Sequence, residues 1–172
     1  MLPLLASDAR VVNVTSASGP SFVAKCDERR QRMFTNPDVT WPEIEAVMKE
    51  ALAIEIDRGS FAAVGLGDGD AYGLSKACAN AFTLAFAREH PGLRVNACTP
   101  GFIETDLTRP YVDRSGKTAK EMGMKSPTEG TRCPMHLLFG TLDGNGRYYG
   151  SDTLRSPLDR YRAPGSPAYT GP

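Results

Sequence analysis

Residues 70–92 read DAYGLSKACANAFTLAFAREHPG. Leu74, Ala77, Cys78, Ala81, Leu84 and Ala85 fall on one stripe at helical spacing, and Pro91-Gly92 closes the run, so a helix is predicted from about Asp70 to His90. Tyr72 and Lys76 stand four residues apart, on one face and one turn from each other. A cation beside a phenol favours the phenolate, which suits a general acid working near neutral pH. Spacing alone does not make such a pair a site, because an exposed Tyr beside a snorkelling Lys has the same pattern. Its neighbours in the sequence decide the matter.

Upstream, Arg10 to Ser18 (RVVNVTSAS) is β-branched and apolar with little alternation, the pattern of a parallel strand covered on both faces. Ser16, Ser18 and Gly19 sit at its C-terminal end, where open α/β sheets place their chemistry. Downstream, Leu93 to Gly101 (LRVNACTPG) reads as a second apolar strand, and GRYYGS, Gly146 to Ser151, as a short last one after the turn Asp143-Gly144-Asn145-Gly146. Strand, helix, strand, helix, strand is parallel βαβ logic. Between the first strand and the Tyr72 helix, residues 20–70 are polar and turn-rich with one clear helix. Thr40 and Glu43 give it a capping-box pattern blurred by Pro42, and Ile44, Val47, Met48, Ala51 and Ile54 form its stripe. Residues Thr105 to Lys125 have the composition of a loose flap, in which Arg109, Tyr111, Arg114 and Lys117 are either a substrate mouth or a solvated surface. Ser126-Pro127-Thr128-Glu129 is a helix start, with Pro134 expected to kink or shift that helix. Trp41 is expected to anchor the start of the inserted helix, and Tyr148 and Tyr149 to pack on a helix.

The chain has 172 residues, enough for one domain with a proper core, and a formal charge of +0 with acids and bases interspersed, so no basic face points to nucleic acid. No window approaches ~18 consecutive apolar residues. MLPLLASDAR lacks the basic start and apolar run of a signal peptide. Cys26, Cys78, Cys98 and Cys133 have no metal-ligand spacing, so no metal site is expected, and a reducing, cytoplasmic setting is. Gly65, Gly67 and Gly69 in VGLGDGD do not make a dinucleotide loop, because the third position of the fingerprint falls on Asp70. A Ser–His–Asp hydrolase is disfavoured, because His90 and His136 lie on helices away from the strand end that bears Ser16.

NVTS (Asn13 to Ser16) closing a strand, YGLSK (Tyr72 to Lys76) opening a helix, and NACTPGFIET (Asn96 to Thr105) closing the next strand resemble, together and in this order, the C-terminal half of the short-chain dehydrogenase/reductase family. The resemblance implies an α/β fold: a partial Rossmann domain, a doubly wound parallel sheet without its N-terminal cofactor-binding βαβ units, with a helical insertion before the catalytic tyrosine. It makes 1–151 the half domain with 20–70 as the insertion, while 152–172, rich in Pro and Gly, reads as an extended or disordered tail. It makes Ser16 the group that polarises the substrate carbonyl, with Ser18 as the alternative if the register slips. Tyr72 becomes the acid/base and Lys76 the residue that lowers its pKa and binds the nicotinamide ribose. Asn13, Pro100, Gly101, Ile103 and Thr105 join Tyr72 and Lys76 as cofactor-binding positions.

Tyr72 follows Ser16 by 56 positions (72 − 16), far more than is usual in that family, and this insertion and SPTEGTRCP resemble its carbonyl reductase branch. The implied activity is NADP-linked reduction of an aldehyde or ketone to an alcohol, with NAD not excluded, by a monomer without nucleic-acid or membrane partners. The family's glycine-rich first half has no counterpart here, and MLPLL resembles the end of the helix before the serine strand. Met1 therefore reads as an internal methionine, and the chain as a truncated gene product or a truncated gene model. Such a chain is expected to bind NADPH poorly, to reduce carbonyls slowly or not at all, and to aggregate or depend on a partner. The alternative to an oxidoreductase is accordingly an impaired fragment acting as a binding module across its open strand edge. The sequence leaves the individual carbonyl substrate open.

Overall fold

The computed structural model describes residues 2–57, 60–142 and 144–171. Met1 and Asp143, on which the truncation reading and part of the last turn rest, lie outside them. After a single 3-10 turn at Leu2–Leu4, β1 (Arg10–Val14) opens a sheet completed by β2 (Arg94–Cys98) and β3 (Tyr148–Tyr149). The order is β1-β2-β3, all parallel, with Val11 opposite Val95, Asn13 opposite Ala97, and Cys98 opposite Tyr149. This is the α/β, partial Rossmann-like arrangement the motifs implied, although each strand is shorter than its apolar run. In particular, β1 ends at Val14, and Ser18 belongs to a helix.

Among the described residues, the segment expected to hold one helix holds three: α1 (Ser18–Val23), α2 (Glu28–Thr35) and α3 (Trp41–Asp57). Gly19 and Pro20 give α1 no helical signal in the sequence, where Ser18 and Gly19 read as the end of the first strand. Pro20 is tolerated because it sits in the first helical turn, where its missing N–H has no partner to lose. For α2 the signal was present: Asp27 caps it, accepting from the Arg30 N–H at 2.8 Å. In α3, Glu43 reaches back to the Thr40 N–H at 2.8 Å. Ile44, Val47 and Ala51 are buried, while Met48 is 44% exposed.

The predicted helix is α4 (Ala71–Glu89), approached through three left-handed glycines, Gly65, Gly67 and Gly69, as befits a turn. It is the spine of the main core: Ala77, Cys78, Ala81 and Ala85 meet Phe22 and Val23 of α1, Phe34 of α2, and Ile44 and Val47 of α3. The 105–125 flap contains a helix, α5 (Arg109–Ser115). Ser126 and Glu129 form a complete capping box on the single turn α6 (Pro127–Gly130), and α7 (Arg132–Phe139) restarts past Thr131 with Pro134 in its first turn.

Adjacent residues of β1 point to opposite faces and assign the layers. Val11 clusters with Phe86 and Ala87 of α4, and Val12 with Cys133 and Leu137 of α7. Helices α4 and α7 therefore lie on opposite faces of the sheet. The expectation of a strand covered on both faces is met only in part: Val11, Val12 and Asn13 are half-buried, and Arg10 and Val14 are exposed. The Arg10 guanidinium donates to the Leu137 and Gly140 carbonyls at 3.2 and 2.6 Å, tying β1 to the end of α7. Residues 152–171 carry no helix or strand.

Candidate active site

The C-terminal ends of β1 and β2 open onto a cavity of about 820 Å³. Ser16, Ser18, Tyr72, Pro100, Gly101, Ile103 and Thr105 all line it. Three segments far apart in sequence meet there, because parallel strands deliver their C-terminal loops to one edge of the sheet.

The serines are placed by the contact of α1 with α4. A side-chain carbon on Gly19 would come within 3.0 Å of the Lys76 backbone, and one on Gly73 within 2.7 Å of Phe22 Cβ. Only bare backbone lets the two helices approach this closely. Ser16 is held in turn by its neighbour: the Ser18 N–H donates to Ser16 Oγ at 3.1 Å, and Ser16 Oγ donates to Ser18 Oγ at 3.3 Å.

Tyr72 lies in the first turn of α4 and is 53% exposed, a large aromatic ring half open to the cavity. Lys76 Nζ stands 5.5 Å from the ring centroid, so the four-residue spacing does set the ammonium over the phenol ring. Lys76 itself lies outside the cavity lining. Asn13 does too: being odd-numbered like Val11, it faces α4, where its Nδ2 donates to Thr83 Oγ1 at 2.8 Å.

The loop after β2 is fixed from within. Thr99 Oγ1 accepts from the Gly101 N–H at 3.2 Å, and Thr108 Oγ1 donates to the Ile103 carbonyl at 2.6 Å and accepts from the Thr105 N–H at 2.9 Å. Gly101 lines the cavity with φ +95, and a Cβ there would press on Ser151 at 3.2 Å, so a side chain at this position would be strained. The Ile103 N–H and the Thr105 hydroxyl on this loop are groups of the kind that an amide-bearing ring would need. The donor set thus suits the nicotinamide end of a dinucleotide.

Further residues that the sequence reading did not single out line the cavity. Tyr148, expected only to pack, faces the cavity, and its phenol is pushed above its ordinary range mainly by burial. Ser156, Arg160, Tyr161, Arg162 and Pro164 come from the tail, whose Pro and Gly content masked them; the Arg- and Tyr-rich DRYR was the available clue. Of the flap residues, Tyr111 lines the cavity and Arg109, Arg114 and Lys117 do not. Among the described residues no group of His, Cys, Asp and Glu could hold a metal ion, and no helix is long and apolar enough to cross a membrane.

No protein-family model matches the chain. Carbonyl reductase (NADPH) 1 of Oryctolagus cuniculus is 30% identical over 152 residues, a stretch covering 85% of this chain and 50% of that enzyme. The Homo sapiens enzyme of the same name is 27% identical over 152 residues with the same coverage. Among solved structures, salutaridine reductase from Papaver somniferum superposes with a TM-score of 0.65 at 26% identity, over 86% of this chain and 48% of that one. Menthone neomenthol reductase from Mentha piperita shares the fold, with a TM-score of 0.62 at 24% identity over 87% of this chain and 44% of that one. The chain spans about half the length of the curated relatives it matches. In sequence and in fold, its relatives are carbonyl reductases and kindred reductases of the short-chain dehydrogenase/reductase family.

Proposed function

We propose that the chain serves NADP-linked reduction of an aldehyde or ketone to an alcohol, with Tyr72 as proton donor. The observation behind this reading is the convergence of Ser16, Tyr72 and the Pro100–Thr105 loop on one cavity at the strand ends. Ser16 Oγ donates to the substrate carbonyl oxygen and polarises it, with its own oxygen steadied by the Ser18 N–H; Ser18 Oγ is the alternative donor. Tyr72 gives its hydroxyl proton to the oxygen as negative charge develops there. Lys76 keeps a positive charge beside the ring, compensating the charge left on the phenol oxygen, and binds the ribose hydroxyls. Asn13 contributes through position, since its bond to Thr83 fastens β1 to α4. Pro100, Gly101, Ile103 and Thr105 seat the nicotinamide, which supplies the hydride when bound. NADP rather than NAD follows the name of the curated relatives.

Residues 1–151 form the catalytic unit in this reading, with 20–70 as a helical insertion whose helices buttress α4, and the protein works in the cytoplasm as a monomer. A second reading rests on β1, which pairs only with β2 among the described residues and leaves Val14 52% exposed. An open edge of this kind suits a binding module. Thermal melts with and without NADPH, followed by NADPH consumption with an aromatic aldehyde, separate the two. A melt raised by NADPH together with turnover supports the reductase. An unmoved melt without turnover supports the binding module.

A further inference from the structure

The chain carries 20 acidic and 20 basic residues, yet the cavity at the strand ends does not share that balance. Lys125, Arg160 and Arg162 line it, and no Asp or Glu among the described residues does. Both arginines are already answered. The Arg162 guanidinium donates to Asp152, and Arg160 Nη1 donates to the two Asp159 oxygens at 2.9 and 3.1 Å. Lys125 has no carboxylate partner among the described residues: its Nζ donates to a neutral group, Ser151 Oγ, at 3.3 Å. Glu129, the acid four positions on, is committed to the N–H and the hydroxyl of Ser126, each at 2.8 Å. The backbone fixes where the lysine points. The Lys125 N–H donates to the Phe102 carbonyl at 2.8 Å and its carbonyl accepts from the Glu104 N–H at 2.9 Å, a one-residue parallel bridge to Ile103. The side chain then passes Gly101, where a Cβ would lie 3.8 Å from Lys125 Cδ and 3.3 Å from Ser151 Oγ. Ser151 is buried just after β3, so ammonium and hydroxyl meet on the wall between the post-β2 loop and the end of β3.

We propose that Lys125 and Ser151 form a carboxylate seat in the cavity wall, so that the preferred ligands are carbonyl compounds bearing an acid group. This rests on the reading of the cavity as a carbonyl-binding site. An ammonium has three N–H donors and no acceptor, and Ser151 engages only one of them. The serine hydroxyl accepts from Lys125 and keeps its own proton for a second oxygen of the ligand. A single cation without a carboxylate of its own balances a single carboxylate, whereas a pyrophosphate carries more charge than the seat answers. A charge-assisted bond at such a half-buried site is worth about tenfold in affinity.

The test compares 4-formylbenzoate with its methyl ester, which keeps the ring and the aldehyde and removes the charge. Binding to the whole chain is followed by ligand-observed NMR, with Lys125→Gln, Ser151→Ala and Arg160→Gln. The acid should bind about tenfold more tightly than the ester, a preference that falls to within about twofold in Lys125→Gln, weakens about threefold in Ser151→Ala and persists in Arg160→Gln. Raising KCl from about 50 to about 500 mM should weaken the acid several-fold and leave the ester unchanged, a readout on the unmodified chain that stands should a variant fail to fold. Inorganic pyrophosphate at the concentration of the acid should leave the acid bound. Equal binding of acid and ester, no binding of either, or a preference that ignores salt would each overturn the proposal. So would a preference that survives Lys125→Gln or vanishes in Arg160→Gln, and so would displacement by pyrophosphate, which would give the seat to a phosphate instead. An acid preference carried by Lys125 without any NADPH-dependent turnover would retire the reductase reading and leave the seat standing.

Discussion

Replacing Gly73 by alanine puts a methyl group where α1 and α4 touch, one residue after Tyr72. The added carbon lies 2.7 Å from Phe22 Cβ and 3.1 Å from the Ser18 carbonyl oxygen. Carbon atoms rest about 3.5–4.0 Å apart, so the helices must separate by about 1 Å locally. Alanine inside a helix is favoured over glycine by about 1 kcal/mol, and overpacking a well-filled contact costs about 1–3 kcal/mol. The clash wins by about 1 kcal/mol, because Phe22 is only 1% exposed and has nowhere to retreat. The urea midpoint should fall accordingly, while Ser75→Ala, two positions on and exposed, should hold or raise it. Moving the Ser16–Ser18 turn about 1 Å from Tyr72 should also lower any carbonyl reduction about a hundredfold, beyond what lost stability explains. A Gly73→Ala protein as stable as the parent or more so would refute the claim that bare backbone sets the α1–α4 approach.

Two further outcomes follow from buried groups. All four cysteines are buried, with burial pushing the Cys26 thiol up to about 11 and Cys78 to about 12, and the Cys133 thiol and burial pushing Cys98 up. At pH 8 the folded chain should therefore resist a thiol-disulfide reagent and release all four thiols only in urea; rapid labelling of the native chain would contradict this. Against the effect of burial, the Arg162 guanidinium and the Gly165 and Leu154 N–H groups hold the Asp152 carboxyl below its ordinary value. The stability this lends the tail is complete above about pH 4 and lost as pH falls below it. Protection of the Gly165 amide, corrected for intrinsic exchange, should be flat from about pH 7 to 5 and fade toward pH 3, whereas Asp152→Asn should show weak protection throughout.

The legible parts of this protein are those written in local periodicity. The α4 stripe, the apolar centres of β1 and β2, and the Ser126–Glu129 cap could be read because each depends on residues within a turn or a strand of one another. Helix α1 could not, since its Gly19 and Pro20 look like a turn until α4 is packed against them, and tertiary contact overrides propensity there. Asn13 was assigned to the cofactor by its motif. Strand alternation instead turns it onto Thr83, a consequence visible once Val11 is known to face α4. The tail stayed opaque because its order comes from Asp152 and Arg162, ten positions apart and in no repeating pattern, closing a loop rich in Pro and Gly. Of the residues that line the cavity, Ser16, Tyr72 and the post-β2 loop could be singled out in the sequence, and those of residues 156–164 could not.

The central claim is that Tyr72 gives the proton in a carbonyl reduction assisted by Ser16. Its most direct test is the rate of NADPH-dependent aldehyde reduction by the chain beside its Tyr72→Phe and Ser16→Ala variants, each first shown to melt like the parent. The account predicts a slow reduction that falls at least about a hundredfold with either substitution. Turnover that survives the loss of the Tyr72 hydroxyl, or none in the parent with no NADPH-induced rise in its melt, would contradict it.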